Sequence, residues 1–347
     1  MKWKETKYLL AYIAPATAFA AIYFQGFWSF STVYFAFAFV PLMELVLPYS
    51  EKNLTNEEES SKLANIAFDW LLYSNIPILY ILLWYYFSTI ATGGMATYEM
   101  IGMTMSVGII VGTIGINVAH ELGHRVKKYE QTMSKILLLS ALYMHFFIEH
   151  NRGHHKNIAT DEDPASARLG ENLYSFWLRS TVGSYLNAWQ LEAERLGRKN
   201  LSSLSLKNEM LVFQIIQVAY LIAIGLVFGW VVIPFAIAVA ITGFLLLETV
   251  NYIEHYGLRR KKLPSGRYEN VTMHHSWNSN HELGRILLYE LTRHSDHHFK
   301  ATRKYQVLRH FDESPQLPFG YPGSMIMSLI PPVWFRVMNK KVPQNIS

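Results

Sequence analysis

The chain has 347 residues, of which 51% are hydrophobic and 14% aromatic. Only 16% are charged, against roughly 25% in an ordinary soluble domain, so it reads as a membrane protein. With no cysteine it can form no disulfide, cysteine-ligated zinc site or iron–sulfur cluster, and its net charge of +5 accompanies 14 histidines, many for so apolar a chain.

A spanning helix needs about 20 mostly apolar residues. Six stretches qualify, at roughly 8–24, 27–47, 67–90, 99–119, 209–228 and 231–252. Pro15, Pro41, Pro77 and Pro234 lie within or near them, which membrane helices tolerate. Lys2, Lys4 and Lys7 precede the first stretch, but no small-residue cleavage site follows, so it is read as a span and not as a cleavable signal. After the second span, PYSEKNLTNEEESSKLANI at 48–66 reads as an acidic loop. TMSKILLLSALYMHFFI at 132–148 is apolar but shorter, and reads as a helix at the membrane interface or packed on the bundle.

All 31 Lys and Arg fall in four stretches, 1–7, 48–66, 125–208 and 259–347, and none in the connections near 25–27, 91–98 and 228–230. Six spans put the four charged stretches on one side, and the positive-inside rule makes that side cytoplasmic, with both termini. A span at 132–148 would export one of those stretches. The expected fold is therefore an all-α integral membrane protein. Six transmembrane helices carry a cytoplasmic, histidine-rich cap built from 125–208 and 259–347, as one membrane-embedded domain over 1–347. Residues 341–347 read as a loose tail, and no internal repeat is visible.

Four histidine groups follow in chain order. His120 and His124 stand in HELGH, at the end of the fourth span. His150, His154 and His155 stand in EHNRGHH, His255 in NYIEHYG just past the sixth span, and His294, His297 and His298 in HSDHH. Spacings of three and four put imidazoles on one helix face, and an adjacent His–His pair adds a neighbour from the next position. His145 and His310 stand alone and read as structural.

HELGH also matches the zinc-peptidase pattern HExxH. A peptidase zinc needs one ligand beyond that pair, and here seven more histidines compete. Nine are too many for one four-coordinate zinc and suit two metals with imidazole-rich shells, although imidazole alone does not name the metal. A second HELG at 281–284 is followed by Arg285, which shows how cheap the string is. Glu121, Glu149, Glu254 and Asp296 flank the groups and are candidates to accept the outward N–H of a ligating histidine. Pairing with Arg152 or Arg293, or facing solvent, is the alternative for some of them.

At these motifs the sequence resembles the membrane-bound alkane 1-monooxygenases, the alkane hydroxylase family of integral membrane non-haem di-iron enzymes. The matching strings are HELGH at 120–124, EHNRGHHKNIATDEDPASAR at 149–168, NYIEHYGL at 251–258 and LTRHSDHHFKATRKYQVLR at 291–309. LPSGRYENVTMHHSWNSNH at 263–281 is similar to the family's segment between its last two histidine motifs. The resemblance runs from about residue 8 to 338. It implies two non-haem irons held by His120, His124, His150, His154, His155, His255, His294, His297 and His298, with no catalytic residue beyond the ligands. It further implies a bacterial inner-membrane enzyme that converts n-alkanes to 1-alkanols with O2, fed by rubredoxin and its NADH-dependent reductase. His274, His275 and His281 match the family outside its ligand set.

An alkane offers no handle for acid–base or nucleophilic chemistry, so the metal does the hard chemistry while the protein supplies ligation, orientation and dryness. Each buried CH2 contributes about 0.8 kcal/mol, which favours long chains until a channel ends. YFAFAFV at 34–40 alternates Phe with Ala. Ordinary packing explains that pattern; the functional alternative is a substrate channel with room at Ala36 or Ala38. Residues 259–347 carry 14 Lys and Arg against 6 Asp and Glu, a face suited to an acidic electron carrier or to anionic lipid, with RRKK at 259–262 as a docking candidate. Topology explains the basic charge, so no nucleic-acid partner is expected. The competing readings are hydroxylation of an alkylbenzene methyl group, a fatty-acid hydroxylase or desaturase, and a non-enzymatic haem-binding or metal-transporting protein.

Overall fold

The computed structural model describes residues 3–343. It is all helical, with no strand among the described residues beyond three isolated bridges. Among the described residues, six helices are long and apolar enough to cross a membrane: α1 (Glu5–Phe24), α2 (Gly26–Glu44), α4 (Ala67–Thr92), α5 (Thr97–Gly123), α9 (Glu209–Phe228) and α10 (Trp230–His255). The acidic loop carries α3 (Asn56–Ala64). Thr55 caps it by accepting from the Glu58 N–H at 3.2 Å, while the Glu58 carboxylate accepts from the Thr55 N–H at 2.9 Å. The stretch at 132–148 is not a span; it divides into α6 (Lys128–Ser140) and the start of α7 (146–157). The long polar connection that follows holds α8 (Leu173–Gly197).

The fourth and sixth spans run further than their apolar stretches suggest. α5 continues to Gly123 and α10 to His255, so His120 and His255 belong to the last turns of these helices and not to the loops beyond. Hydropathy fades there because the final turns are polar, yet those residues are buried. α5 is the central helix: 83% of its most apolar window is buried, against 22–44% in the other five. It packs on α10 through small residues. A Cβ at Gly112 would sit 2.7 Å from Leu246 Cδ2, and one at Gly243 would sit 2.7 Å from Val111 Cγ1. Absent side chains let backbones approach and gain dispersion contacts where lipid supplies no hydrophobic drive.

Beyond α10 the chain forms a cap from loops and four short helices: α11 (Glu282–Leu287), α12 (His294–Phe299), α13 (Tyr321–Ser328) and α14 (Pro331–Met338). Buried charges tie it to the bundle. Arg125 bonds Glu121 at 2.7 Å and Asp69 at 3.2 Å, and Lys304 bonds Asp69 at 2.9 Å. Arg303 and Arg309 bond Asp296 at 3.3 and 2.8 Å, and Arg303 also reaches Glu59 on α3 at 2.9 Å. Of these, Lys304–Asp69 and Arg303–Glu59 cross from the cap to the elements before α5, and losing one partner leaves a largely buried charge unmatched, so these two contacts fix where the cap sits.

Candidate metal centre

All nine candidate histidines meet at the cap end of α5 and α10, in two adjoining sets. His120, His124, His150, His155 and His297 form one; His154, His255, His294 and His298 form the other. Helical pitch decides the division. Residues 150–154 form a π-helical turn, wider than an α turn, so positions five apart share a face. His150 and His155 therefore point together, their Nε2 atoms 3.0 Å apart, while His154 points into the second set. On α12 the ordinary pitch applies. His294 and His298, four apart, face each other at 2.8 Å, and His297 turns toward His120 at 2.9 Å.

The remaining contacts close each set. His124 Nε2 lies 3.1 Å from both His150 and His155, His297 lies 3.2 Å from His155, and His154 lies 3.3 Å from His298. The His255 ring stands about 5 Å, centre to centre, from His154, His294 and His298, and neither of its nitrogens has a hydrogen-bond partner. Two nitrogens each about 2.1 Å from one ion lie roughly 3.0–3.4 Å from each other when some 90–110° apart. The spacings seen here match that arithmetic, and this donor chemistry fits a divalent transition metal in each set.

Burial, reinforced by neighbouring imidazoles, holds His150, His155, His294, His297 and His298 well below the usual histidine range, and His124 is lowered to about 3. These rings are neutral at physiological pH, with lone pairs free for a cation. His154 differs. Burial pulls its pKa down, but the charge and hydrogen bond of Asp163, with the nearby Glu149 and Glu248 carboxyls, together outweigh burial and raise it. Asp163 Oδ2 lies 2.9 Å from His154 Nδ1 and is held by the Ser166 hydroxyl at 2.6 Å.

The flanking acids divide. Glu254 does reach a histidine: its Oε2 is 3.2 Å from His294 Nε2, and its Oε1 accepts from the Tyr321 hydroxyl at 2.7 Å. It meets the nitrogen that faces His298, so it points among the imidazoles and not at their backs. Glu121 binds Arg125 and the Tyr305 N–H, Glu149 accepts from Asn187, and Asp296 binds Arg303 and Arg309. These three carboxylates anchor backbone and cap where an outer contact to a histidine was expected. Asp163 was not singled out in the sequence; its place inside the EHNRGHHKNIATDEDPASAR motif is the signal that could have found it. His145 is buried against Tyr143 and Tyr185, and His310 bonds Asn280 and Asp312. His274 bonds the Glu313 carbonyl, His275 contacts Thr272 and Glu269, and His281 contacts Ser279.

A mostly apolar cavity of about 80 Å³ ends on His120, His150 and His294. Ala36, Phe37, Gly112 and Leu246 are among its walls, with Asn117, Asn251 and Glu254 near the histidines. Ala36 thus faces the cavity, whereas Ala38 is exposed on the outer side of α2. Residues 35–39 and 111–117 are π-helical, so both walls nearest the histidines depart from regular pitch.

The fatty acid desaturase family matches residues 96–323. Alkane 1-monooxygenase 2 of Pseudomonas aeruginosa is 40% identical over 327 residues, covering 91% of this chain and 84% of that protein. The alkane 1-monooxygenase of Pseudomonas putida is 44% identical over 273 residues, 78% of this chain and 67% of that protein. The hydroxylase component of a xylene/toluene monooxygenase from Pseudomonas putida is 27% identical over 344 residues, 96% and 88%.

Proposed function

From the chain's membership of the alkane 1-monooxygenase family, we propose that it converts n-alkanes to 1-alkanols with O2 at two irons, taking electrons from rubredoxin. One observation carries this reading: two adjoining sets of buried imidazoles at the end of an apolar cavity. The balance is alkane plus O2, two electrons and two protons giving alcohol and water. The five-histidine set would hold one iron and the four-histidine set the other, and neither fills an octahedral ion. When bound, the irons supply the O2 reduction and C–H cleavage that no side chain can perform.

The chain's own residues set the conditions. Asp163 accepts a hydrogen bond from His154 Nδ1–H and so leaves Nε2 free to ligate. Phe37, Ile109 and Leu246 exclude water and give an alkyl chain only hydrocarbon to touch, so a terminal methyl enters end-on toward His120 and His294. Glu254, with the Tyr321 hydroxyl donating to it, holds a proton-exchanging group beside that methyl. The basic side, bearing the histidines, faces the cytoplasm in this reading, where rubredoxin would deliver electrons to one catalytic unit over 1–347.

The test is product analysis under 18O2 with iron-loaded protein, NADH, rubredoxin reductase, rubredoxin and a ladder of n-alkanes. The expected product is 18O-labelled 1-alkanol. Labelled benzylic alcohol from xylene, with none from alkanes, would transfer the chain to the activity named for its 27% identical relative. No oxygenation of either, with iron bound and electrons flowing, would end the monooxygenase reading.

A further inference from the structure

A second feature at the cap end of the bundle is not used by the metal centre. Glu44, the last residue of α2, is 6% exposed, and its carboxylate meets no other side chain, only the backbone N–H of Gly284 beside it. Burying an ionisable group without a side-chain partner is costly, so such a carboxyl implies something it is built to meet. Two glycines make room for it. A Cβ at Gly284 would lie 2.6 Å from Glu44 Oε1, and one at Gly320 would overlap the carboxylate outright.

Glu44 stands at the end of a line of cavities along α2. The cavity on the histidines shares Ala36, Ile109, Thr113, Leu288 and Pro322 with a second cavity of about 60 Å³. That second cavity reaches Val40 and Gly284. Glu44 lies against Gly284 and lines a third cavity of about 250 Å³, whose walls include Leu42, Leu45, Phe319 and Ile326. Leu42 and Leu45 are 63% and 70% exposed on the outer side of the bundle, so this last cavity opens toward lipid.

We propose that the Glu44 cavity is a binding site for the hydroxyl end of a primary alkanol, the station at which product leaves the metal centre for the membrane. The proposal rests on the hydroxylase reading above. Its chemistry is selective: an alkane offers nothing to a carboxyl group, whereas a 1-alkanol brings one O–H donor and an apolar tail that suits the leucine and phenylalanine walls. Substrate is therefore not held there, and product is drawn away from the histidines by a bond that only product can make.

The test uses full-length wild-type protein in nanodiscs of phosphatidylcholine and phosphatidylglycerol, without reductant, so that no turnover occurs. The probes are a ten-carbon 1-alkanol carrying a diazirine near its hydroxyl end and the matching alkane. The alkanol probe is expected to label peptides bearing Leu42, Leu45 or Ile326, to be displaced by 1-decanol, and to resist decane. Glu44→Leu should cut labelling about tenfold, the scale of one buried hydrogen bond. Leu45→Trp, which fills the mouth and keeps the carboxylate, should do the same and covers a failure of the first variant to fold. Equal labelling by the alkane probe, or full labelling of both variants, would overturn the site. So would displacement by phosphatidylethanolamine and not by 1-decanol, which would give the cavity to an amine headgroup. Conversion of decane to 1-decanol is measured on the same preparation with reductant. Product without labelling removes only the alkanol site; labelling without product keeps that site and removes only the hydroxylase reading.

Discussion

Asp163 sets the orientation of His154, and the cost of losing it is specific. The Ala165 N–H holds Oδ1 and the Ser166 hydroxyl holds Oδ2, the oxygen that faces His154 Nδ1, so the carboxylate is fixed in one orientation toward the imidazole. Asp163→Asn keeps the volume and removes the charge that fixes the ring. Loss of such an outer contact weakens metal binding by about 10–100-fold. On the two-iron reading proposed above, iron per chain, measured after dialysis against a weak chelator, is expected to fall from two toward one, with the five-histidine set retained. Two irons retained in the variant would take Asp163 out of the metal centre.

The same scale shows the limit of reading acids by adjacency. Glu121, Glu149 and Asp296 are each next to a candidate ligand, yet they turn to Arg125, Asn187 and Arg309. Neighbouring side chains on a helix point in different directions, so an acid beside a ligand faces away from it as a rule. Asp163, nine residues beyond His154, reaches that ring because the chain turns back between them.

Among elements, the π turn at 150–154 does the sorting. Regular α pitch would bring His150 and His154 together; the wider turn pairs His150 with His155 and sends His154 to the other set. Gly153 lets α8 come close enough to brace this turn. A Cβ there would lie 2.6 Å from Asn187 Nδ2 and 2.7 Å from Glu149 Oε1. Asn187 donates to Glu149 at 3.1 Å, and burial together with the Asp163 charge raises the Glu149 pKa. Gly153→Ala displaces that amide and strips a buried acid of its donor, at about 1–3 kcal/mol. The expected result is a lower midpoint of thermal unfolding in detergent with reduced iron content. A variant as stable and as iron-rich as wild type would show that α8 yields without cost.

Over the whole molecule, charge has two uses that composition does not separate. Of the cations in the basic C-terminal segment, Arg285, Arg303, Lys304 and Arg309 are spent on Glu290, Glu59, Asp69 and Asp296, and Arg293 is buried on backbone carbonyls. Lys261, Lys262, Arg267 and Lys300 are exposed and remain to steer a carrier. Exposed charges act through solvent and are screened within about 10 Å at 0.1 M salt. With rubredoxin as donor, KM for the carrier is expected to rise several-fold between roughly 0.05 and 0.3 M salt, and charge reversal at Lys261 and Lys262 should raise it further without changing kcat. Salt-independent turnover would place the electron entry elsewhere.

The six spans and the nine histidines were legible in the sequence because both are local signals. A span is a run of apolar residues, and a ligand group is a few imidazoles at helical spacing. The family followed from long motifs that carry the same signals, and relatives at 36–44% identity bear it out. Tertiary structure alone decided which histidines share a set, since one wider turn reverses the pairing that regular pitch implies. It also decided that Ala36 faces the cavity and Ala38 does not, that Asp163 and not Asp296 touches an imidazole, and that Glu44 is buried with no side-chain partner. Each of these depends on what another helix places opposite, and the distance along the chain does not contain that information.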